Sequence, residues 1–359
     1  MNQSIPRRKP VRVLFVGLHY DYGDPRRGNS FEYLNFYESL LRLPDVEATM
    51  FAFDEVLRRV GRARMNQQLL ETAQAFQPDL IFFILFTDEI LPETIKRLSS
   101  SSAITLNWFC DDHWRFDNFS RFYAPLFHWV VTTDRSAVER YHALGLRSVI
   151  RSQWACNHLV YIPQKGEEQR LTFVGQAYPT RRHVMNELTR RNVQVTCYGK
   201  GWEQGRVSQQ RMIEIFSSST INLNFSESSV NRGVKQFAKI FLKRRADGSI
   251  HPNSYSEILG SLKFSTGAYR PQIKGRNFEI PGTGGFLLTQ YVEGLEEYYQ
   301  PGKEVGVFYS LDALVEQVEY YTTHETERNA IRVAGYERTI KDHTFEKRFY
   351  DIFKQIGLM

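Results

Sequence analysis

The stretch Arg276-Asn277-Phe278-Glu279-Ile280-Pro281-Gly282-Thr283-Gly284-Gly285-Phe286-Leu287-Leu288-Thr289 decides how the rest of the chain is read. It sets one carboxylate a few residues ahead of a glycine pair. A basic approach, Lys274 and Arg276, lies on one side and an apolar run with the look of a buried strand on the other. Glycine lets backbone approach a ligand without a Cβ in the way, and amides at a helix start favour anions. An ionised carboxylate accepts hydrogen bonds and never donates them, which suits sugar hydroxyls. A Gly-Thr-Gly-Gly run also serves as a plain turn into a strand, and Glu279 as an acid placed for a helix dipole.

Outward from this stretch the chain alternates between two periods. Residues 11–17 are a short apolar run ending in Gly17; 31–43 have helical spacing and stop at Pro44; 46–53 alternate like a strand. A helix over 65–76, a strand over 80–86, a helix over 90–98, strands over 103–109 and 129–132 and a helix over 136–144 follow. The pattern restarts with strands over 171–174, 193–198, 221–225, 286–288 and 306–308, and a helix over 311–321. Strands alternating with helices imply βαβ units and parallel sheets. The polar run 153–170, with Pro163 and Gly166, separates the two series. The expected organisation is a domain over 1–155, a second over 156–340 and a terminal helix over 341–359 returning to the first. An insertion over about 231–270 interrupts the second.

At 359 residues the chain is long enough for two such domains, and 42% hydrophobic content marks an ordered globular protein. Cys110, Cys156 and Cys197 lie far apart, without metal-ligand or disulfide spacing, which points to a reducing cytoplasmic setting. No run approaches the roughly 20 apolar residues of a spanning helix. The net charge of +6 is modest, and no specific nucleic-acid partner is expected. Basic residues gather at Arg58, Arg59, Arg62 and Arg64, and again at Arg232, Lys235, Lys239, Lys243, Arg244 and Arg245. Each group reads as a solvated helix face or as an attraction for anions. In the second, Lys235, Lys239 and Lys243 recur every four residues beside Val234, Phe237, Ala238 and Phe241. That pattern makes a candidate peripheral contact with the inner face of a membrane, or a helix that packs its phenylalanines into the domain. The first strand ends at Gly17 without a Gly-x-Gly-x-x-Gly signature, which argues against a dinucleotide pocket there.

The quoted stretch is followed by Glu293, Tyr298-Tyr299, Pro301-Gly302-Lys303-Glu304-Val305-Gly306-Val307-Phe308-Tyr309 and Asp342-His343-Thr344-Phe345-Glu346-Lys347-Arg348-Phe349. In this order the pieces resemble the C-terminal domain of the spore-maturation-protein-like glycosyltransferases, a branch of the GT-B sugar-nucleotide transferases. The resemblance continues more thinly through Phe173-Val174-Gly175, Tyr198-Gly199, Ile221-Asn222-Leu223-Asn224-Phe225 and Asn107-Trp108-Phe109-Cys110-Asp111-Asp112-His113-Trp114.

The resemblance implies an α/β chain of GT-B fold, two Rossmann-like doubly wound domains facing across a cleft. It implies metal-independent transfer of a sugar from a nucleoside-diphosphate donor to a glycan, lipid-linked or protein acceptor in surface polysaccharide synthesis, with no cofactor. Glu279 would hold the donor ribose, and Gly284 and Gly285 would offer amides to the diphosphate. Lys274, Arg276 and Arg181 (preferred to Arg182) would supply positive charge to the leaving group. Gly175, Gly199 and Asn224 would border the nucleotide, and Gly17 would leave room for the sugar and phosphate. The larger retaining families carry a Glu-x7-Glu pair here. This chain has Pro271 in place of the first glutamate, which leaves the stereochemical outcome open.

Asp111-Asp112-His113 ends a strand of the first domain, and Asp112 would accept sugar hydroxyls or act as general base. The same residues read as a helix cap, and two adjacent carboxylates with one His are a poor cage for magnesium. Within the same fold, a sugar-nucleotide epimerase or hydrolase and a non-catalytic binding protein are the alternatives.

Overall fold

The computed structural model describes residues 9–226, 241–244, 250–255, 258–259 and 271–359. The chain divides into two units. Of the described residues, the first takes those up to Gln153, those between Gly233 and Ala268, and those from Arg348 onward; the second takes the rest.

The first unit is built on six parallel strands: β1 (Val11–Gly17), β2 (Val46–Ala52), β3 (Leu80–Phe83), β4 (Ile104–Phe109), β5 (Trp129–Thr132) and β6 (Val149–Arg151), in the order 2-1-3-4-5-6. Parallel strands are covered on both faces, so they read as unbroken apolar runs rather than alternating ones. All four residues of β3, Leu-Ile-Phe-Phe, are buried accordingly. The helices are α1 (Phe53–Phe76), α2 (Pro92–Ser99), the short α3 (Asp112–Arg115) and α4 (Arg135–Ala143). Proline opens α2 where its missing N–H costs nothing, and Asp134 caps α4 by accepting the Ser136 N–H at 2.9 Å. On one side of the sheet Leu14, Val16, Ile81 and Phe83 pack with Met65, Leu69, Ile95 and Tyr141. On the other, the rings of Phe36, Phe82, Trp108 and Phe349 meet with centroids 5.0–6.4 Å apart.

α1 begins twelve residues before the expected start because Gly61, at φ 78° and ψ 168°, interrupts it and breaks the 3.6-residue period. Two single-turn π-helices, Tyr33–Tyr37 and Phe116–Ser120, follow β1 and β4. Such turns are uncommon and gather at functional sites.

The second unit carries five parallel strands, β7 (Gln169–Val174), β8 (Thr196–Tyr198), β9 (Ser219–Asn224), β12 (Leu287–Gln290) and β13 (Gly306–Phe308), in the order 8-7-9-12-13. β10 (Leu242–Arg244) and β11 (Ile250–Pro252), which group with the first unit, form a separate antiparallel pair. The helices here are α5 (Pro179–Arg190), α6 (Gln209–Ser218), α7 (Arg276–Gly282), α8 (Leu311–Thr323), α9 (Glu325–Asp342) and α10 (Phe345–Gln355), whose residues from Arg348 on group with the first unit. Phe173, Leu223, Phe286, Leu288 and Leu314 form one core; Phe216, Phe278, Leu287 and Tyr299 form another. Both sheets are doubly wound, and strand order reverses between β1 and β3 and between β7 and β9. Open sheets of this kind bind ligands outside the carboxyl ends at such reversals.

Lys235 and Lys239 lie outside the described residues. Lys243 sits in strand β10. No helix among the described residues is long and apolar enough to cross a membrane.

Candidate active site

At the carboxyl edge of the second sheet, the ends of β7 and β8 are laced by backbone. The Gly175 N–H donates to the Tyr198 carbonyl at 2.8 Å, and the Trp202 indole N–H donates to the Gly175 carbonyl at 2.8 Å. Gly199 holds φ 127°, and a Cβ there would come 2.3 Å from the Gly175 oxygen. Gly199 is therefore required by close strand approach, a demand separate from the nucleotide-bordering role expected of it. Gly175 has a different task. A Cβ on it would meet the Phe173 ring at 2.7 Å and the Arg181 Nη1 at 3.0 Å, so its bareness seats the arginine.

Arg181 lies in the first turn of α5, which Pro179 opens. Its guanidinium is held over the Phe173 and Tyr178 rings, 5.2 and 5.1 Å from their centroids, and Nη1 donates to the Gln176 carbonyl at 3.2 Å. The side chain lines a cavity of about 190 Å³ with Val184, Phe225, Gln290, Phe308 and Tyr309, at the ends of β9, β12 and β13. A fixed guanidinium beside a helix N-terminus and an apolar floor is suited to an anion carrying a flat or ring-shaped group.

The glycine-rich stretch arranges itself otherwise than expected. α7 spans Arg276–Gly282, so Gly284 and Gly285 follow its carboxyl end, not its amino end. Their amides donate back to the Pro281 and Ile280 carbonyls at 2.8 and 3.1 Å, closing the helix as a glycine turn does. A Cβ on Gly285 would stand 2.3 Å from the Phe216 carbonyl. These amides serve packing and the turn into β12; a diphosphate has no claim on them.

Glu279 is fully buried. Oε1 accepts the Tyr161 hydroxyl at 2.6 Å, and Oε2 pairs with Arg276, which also stands 5.4 Å from the centroid of the Phe216 ring. In this arrangement the carboxylate expected to hold a ribose anchors α7 instead, and the Arg276 cation is committed to it. Burial and the neighbouring Glu279 carboxylate together push the Tyr161 hydroxyl far up, so it stays a donor.

Asn224, expected to read a base edge, is buried too. Its amide donates to Asn277 Oδ1 at 3.1 Å and to Thr289 Oγ1 at 3.0 Å, binding β9, α7 and β12 together. Asn277 Oδ1 in turn accepts the Lys274 N–H at 2.9 Å, which fixes the backbone of Lys274 while its side chain stays partly exposed.

In the first unit the absence of a Cβ on Gly17 makes room for the Phe15 ring, which a Cβ would meet at 2.8 Å. Beyond it Asp54 accepts the N–H groups of His19 and Tyr20 at 2.9 and 3.0 Å, so the loop after β1 is rigidly held.

Of the carboxylates after β4, Asp112 is the buried one. The Tyr141 hydroxyl lies 3.0 and 2.9 Å from its two oxygens. Burial pushes its carboxyl up to about 6, against the opposing pull of the Ser120, Thr132 and Tyr141 hydroxyls. With no surface exposed it cannot receive a proton from a substrate, so the expected catalytic role does not fit it.

Asp111 and His113, on either side, are partly exposed. Asp111 faces the field of Glu32 and Arg115. Burial, together with the charges of Asp21 and Asp111, raises the Glu32 carboxyl, and burial and Glu32 raise the Cys110 thiol well up, which leaves the thiol inert. Glu32 carried no sequence signal, since only the fold brings it to Asp111, whereas Arg115 stands one helical turn after Asp111 in the chain. Among the described residues, no three His, Cys, Asp or Glu side chains are grouped to hold a metal ion.

Residues 235–354 match the model of a glycosyl transferase-like family. No curated protein matches the chain. Among solved structures, sucrose-phosphate synthase from Thermosynechococcus elongatus aligns at 10% identity and TM-score 0.58, over 97% of this chain and 99% of its own. HepE from Anabaena, in complex with UDP-glucose, aligns at 10% identity and TM-score 0.58, over 97% and 100%. The lipopolysaccharide outer core galactosyltransferase WaaB, in its apo form, aligns at 12% identity and TM-score 0.54, over 96% and 100%. The two parallel sheets and these neighbours make the fold that of the GT-B enzymes, and the family match supports a glycosyltransferase.

Proposed function

We propose that the chain transfers a sugar from a nucleoside-diphosphate donor to a hydroxyl of a glycoconjugate, as a hexosyltransferase of the spore-maturation-protein-like branch engaged in surface polysaccharide synthesis. The observation that carries the reading is Arg181. It is seated by Gly175 in the first turn of α5 and faces a cavity at the carboxyl ends of β9, β12 and β13. A diphosphate bound there would meet a fixed cation and a helix dipole, and preorganised charge of this kind is commonly the largest catalytic contribution. That HepE was solved with UDP-glucose supports a nucleotide sugar as the donor.

Lys274, whose backbone is pinned by Asn277, is the second cation assigned to the leaving group, and the transfer is proposed to run without a metal ion. Asp111, partly exposed beside the buried Asp112, is assigned the proton of the acceptor hydroxyl. A thermal-shift screen of nucleoside diphosphates tests the donor assignment, since a ligand of the folded form stabilises it by mass action. One diphosphate should raise the melting temperature of the native chain and fail to do so for Arg181→Ala. A panel in which none stabilises, or in which Arg181→Ala responds like the native chain, overturns the reading.

A further inference from the structure

The first unit holds a second cavity, of about 410 Å³, walled by Tyr20, Pro25, Glu55, Arg58 and Arg59. It lies between the loop after β1 and the first turns of α1. Most arginines around it are neutralised. Arg26 pairs with Asp24 at 2.8 Å, Arg27 with Asp21 at 2.8 Å, Arg62 with Asp88 at 3.3 Å and Arg64 with Glu71 at 3.0 Å. The two on the cavity wall are not. Arg58 Nη2 donates to the Gly23 carbonyl at 2.6 Å, a neutral partner, and its guanidinium stands 6.0 Å from the centroid of the Tyr20 ring. Arg59 makes no hydrogen bond or ion pair among the described residues. The carboxylate on the wall, Glu55, is engaged by the Nδ1 of His19, whose ring stacks on Tyr20 at 4.2 Å.

Two adjacent guanidiniums without carboxylate partners, in the first turns of α1 and facing the loop that Asp54 holds, form a site for an anion. Guanidinium forks match phosphate oxygens in pairs. Glu55 and the Tyr20 hydroxyl, one an acceptor and one a donor, suit the hydroxyls of a polyol beside such a phosphate. We infer that this cavity binds a phosphate-bearing acceptor through Arg58 and Arg59, the phosphate being that of a soluble sugar ester or of a lipid-linked carrier. Only the word acceptor rests on the glycosyltransferase reading; the binding does not.

Calorimetric titration with inorganic pyrophosphate tests it, in the Arg181→Ala protein so that the proposed donor site binds weakly and contributes least. Adding Arg59→Gln should weaken binding at least tenfold, and adding Arg58→Gln as well should abolish it. Arg59 has no partner to lose, so its replacement separates binding from folding, which circular dichroism checks. Glucose 6-phosphate and phosphatidylcholine vesicles carrying polyprenyl phosphate are then tried as competitors. Displacement by the first identifies a soluble source, displacement by the second a lipid-linked one. Unchanged affinity in the Arg59→Gln variant, or displacement by neither competitor, overturns the inference. Failure of the donor screen with this result intact would sink the transferase reading and leave the phosphate site standing.

Discussion

Asp112→Asn tests the buried carboxylate directly, through the pH dependence of stability. The Asp112 carboxyl titrates near 6 when folded and near 3.8 when unfolded. Below pH 3.8 both states are protonated and burial of the group carries no charge penalty. Between about pH 4 and 6 the folded chain keeps a proton that the unfolded chain has released, so stability falls as pH rises. By pH 7 the full penalty is present. A gap of about two pH units at about 1.4 kcal/mol each amounts to ~3 kcal/mol. The amide carries no charge at any of these values and escapes the penalty. It does lose part of the acceptor capacity that Tyr141, Ser120 and Thr132 use, but that loss is the same at every pH. Urea unfolding of the native chain and the variant, at half-unit steps from pH 4 to 7.5, isolates the group because all other titrations cancel in the difference. The variant should gain about 3 kcal/mol relative to the native chain across this window, with the steepest change between pH 4 and 6. A difference that stays flat would refute the picture of a desolvated carboxyl, and one that runs the other way would mean the hydroxyl donors outweigh burial.

Four further outcomes are expected. Arg181→Ala should weaken nucleoside-diphosphate binding by roughly 10- to 100-fold, the worth of a charge-assisted hydrogen bond, as read by calorimetry. Asp111→Asn should lower kcat by about 10²–10⁴ with little change in donor affinity; a variant of undiminished kcat removes Asp111 from the proton transfer. Glu279→Ala should destabilise the second unit by about 3 kcal/mol, since Arg276 and Tyr161 lose a shared partner at a buried site, and a melt unchanged from the native one would return Glu279 to the ligand. Transfer measured in excess chelator should match transfer without it, and strict dependence on an added divalent ion would end the metal-free proposal.

The sheets were legible because parallel strands are covered on both faces, and Val11–Gly17 or Leu80–Phe83 then carries an apolar run that nothing else in a polar chain resembles. α1 was half hidden, since a single glycine broke its period. The site residues were legible by type and misleading by role. Glu279 looks like a ligand from its neighbours in sequence, yet what occupies it is Tyr161, 118 residues away. Asp112 is satisfied by Tyr141 at a separation of 29, and Asn224 by Asn277 at 53. A polar side chain's vacancy is a property of its tertiary partners, and local spacing carries no record of them. The surroundings of Arg181, a strand end, a glycine and a proline-opened helix, were legible because they are contiguous in the chain.

The indole of Trp202 grips the carbonyl of the same glycine that seats Arg181, and its ring also lies 5.2 Å from the guanidinium of Arg182. An optical reporter is thereby wired beside the site proposed for the donor. With the other four tryptophans replaced by phenylalanine, the emission of Trp202 would follow arrival and departure of the nucleotide in real time, without a label on either.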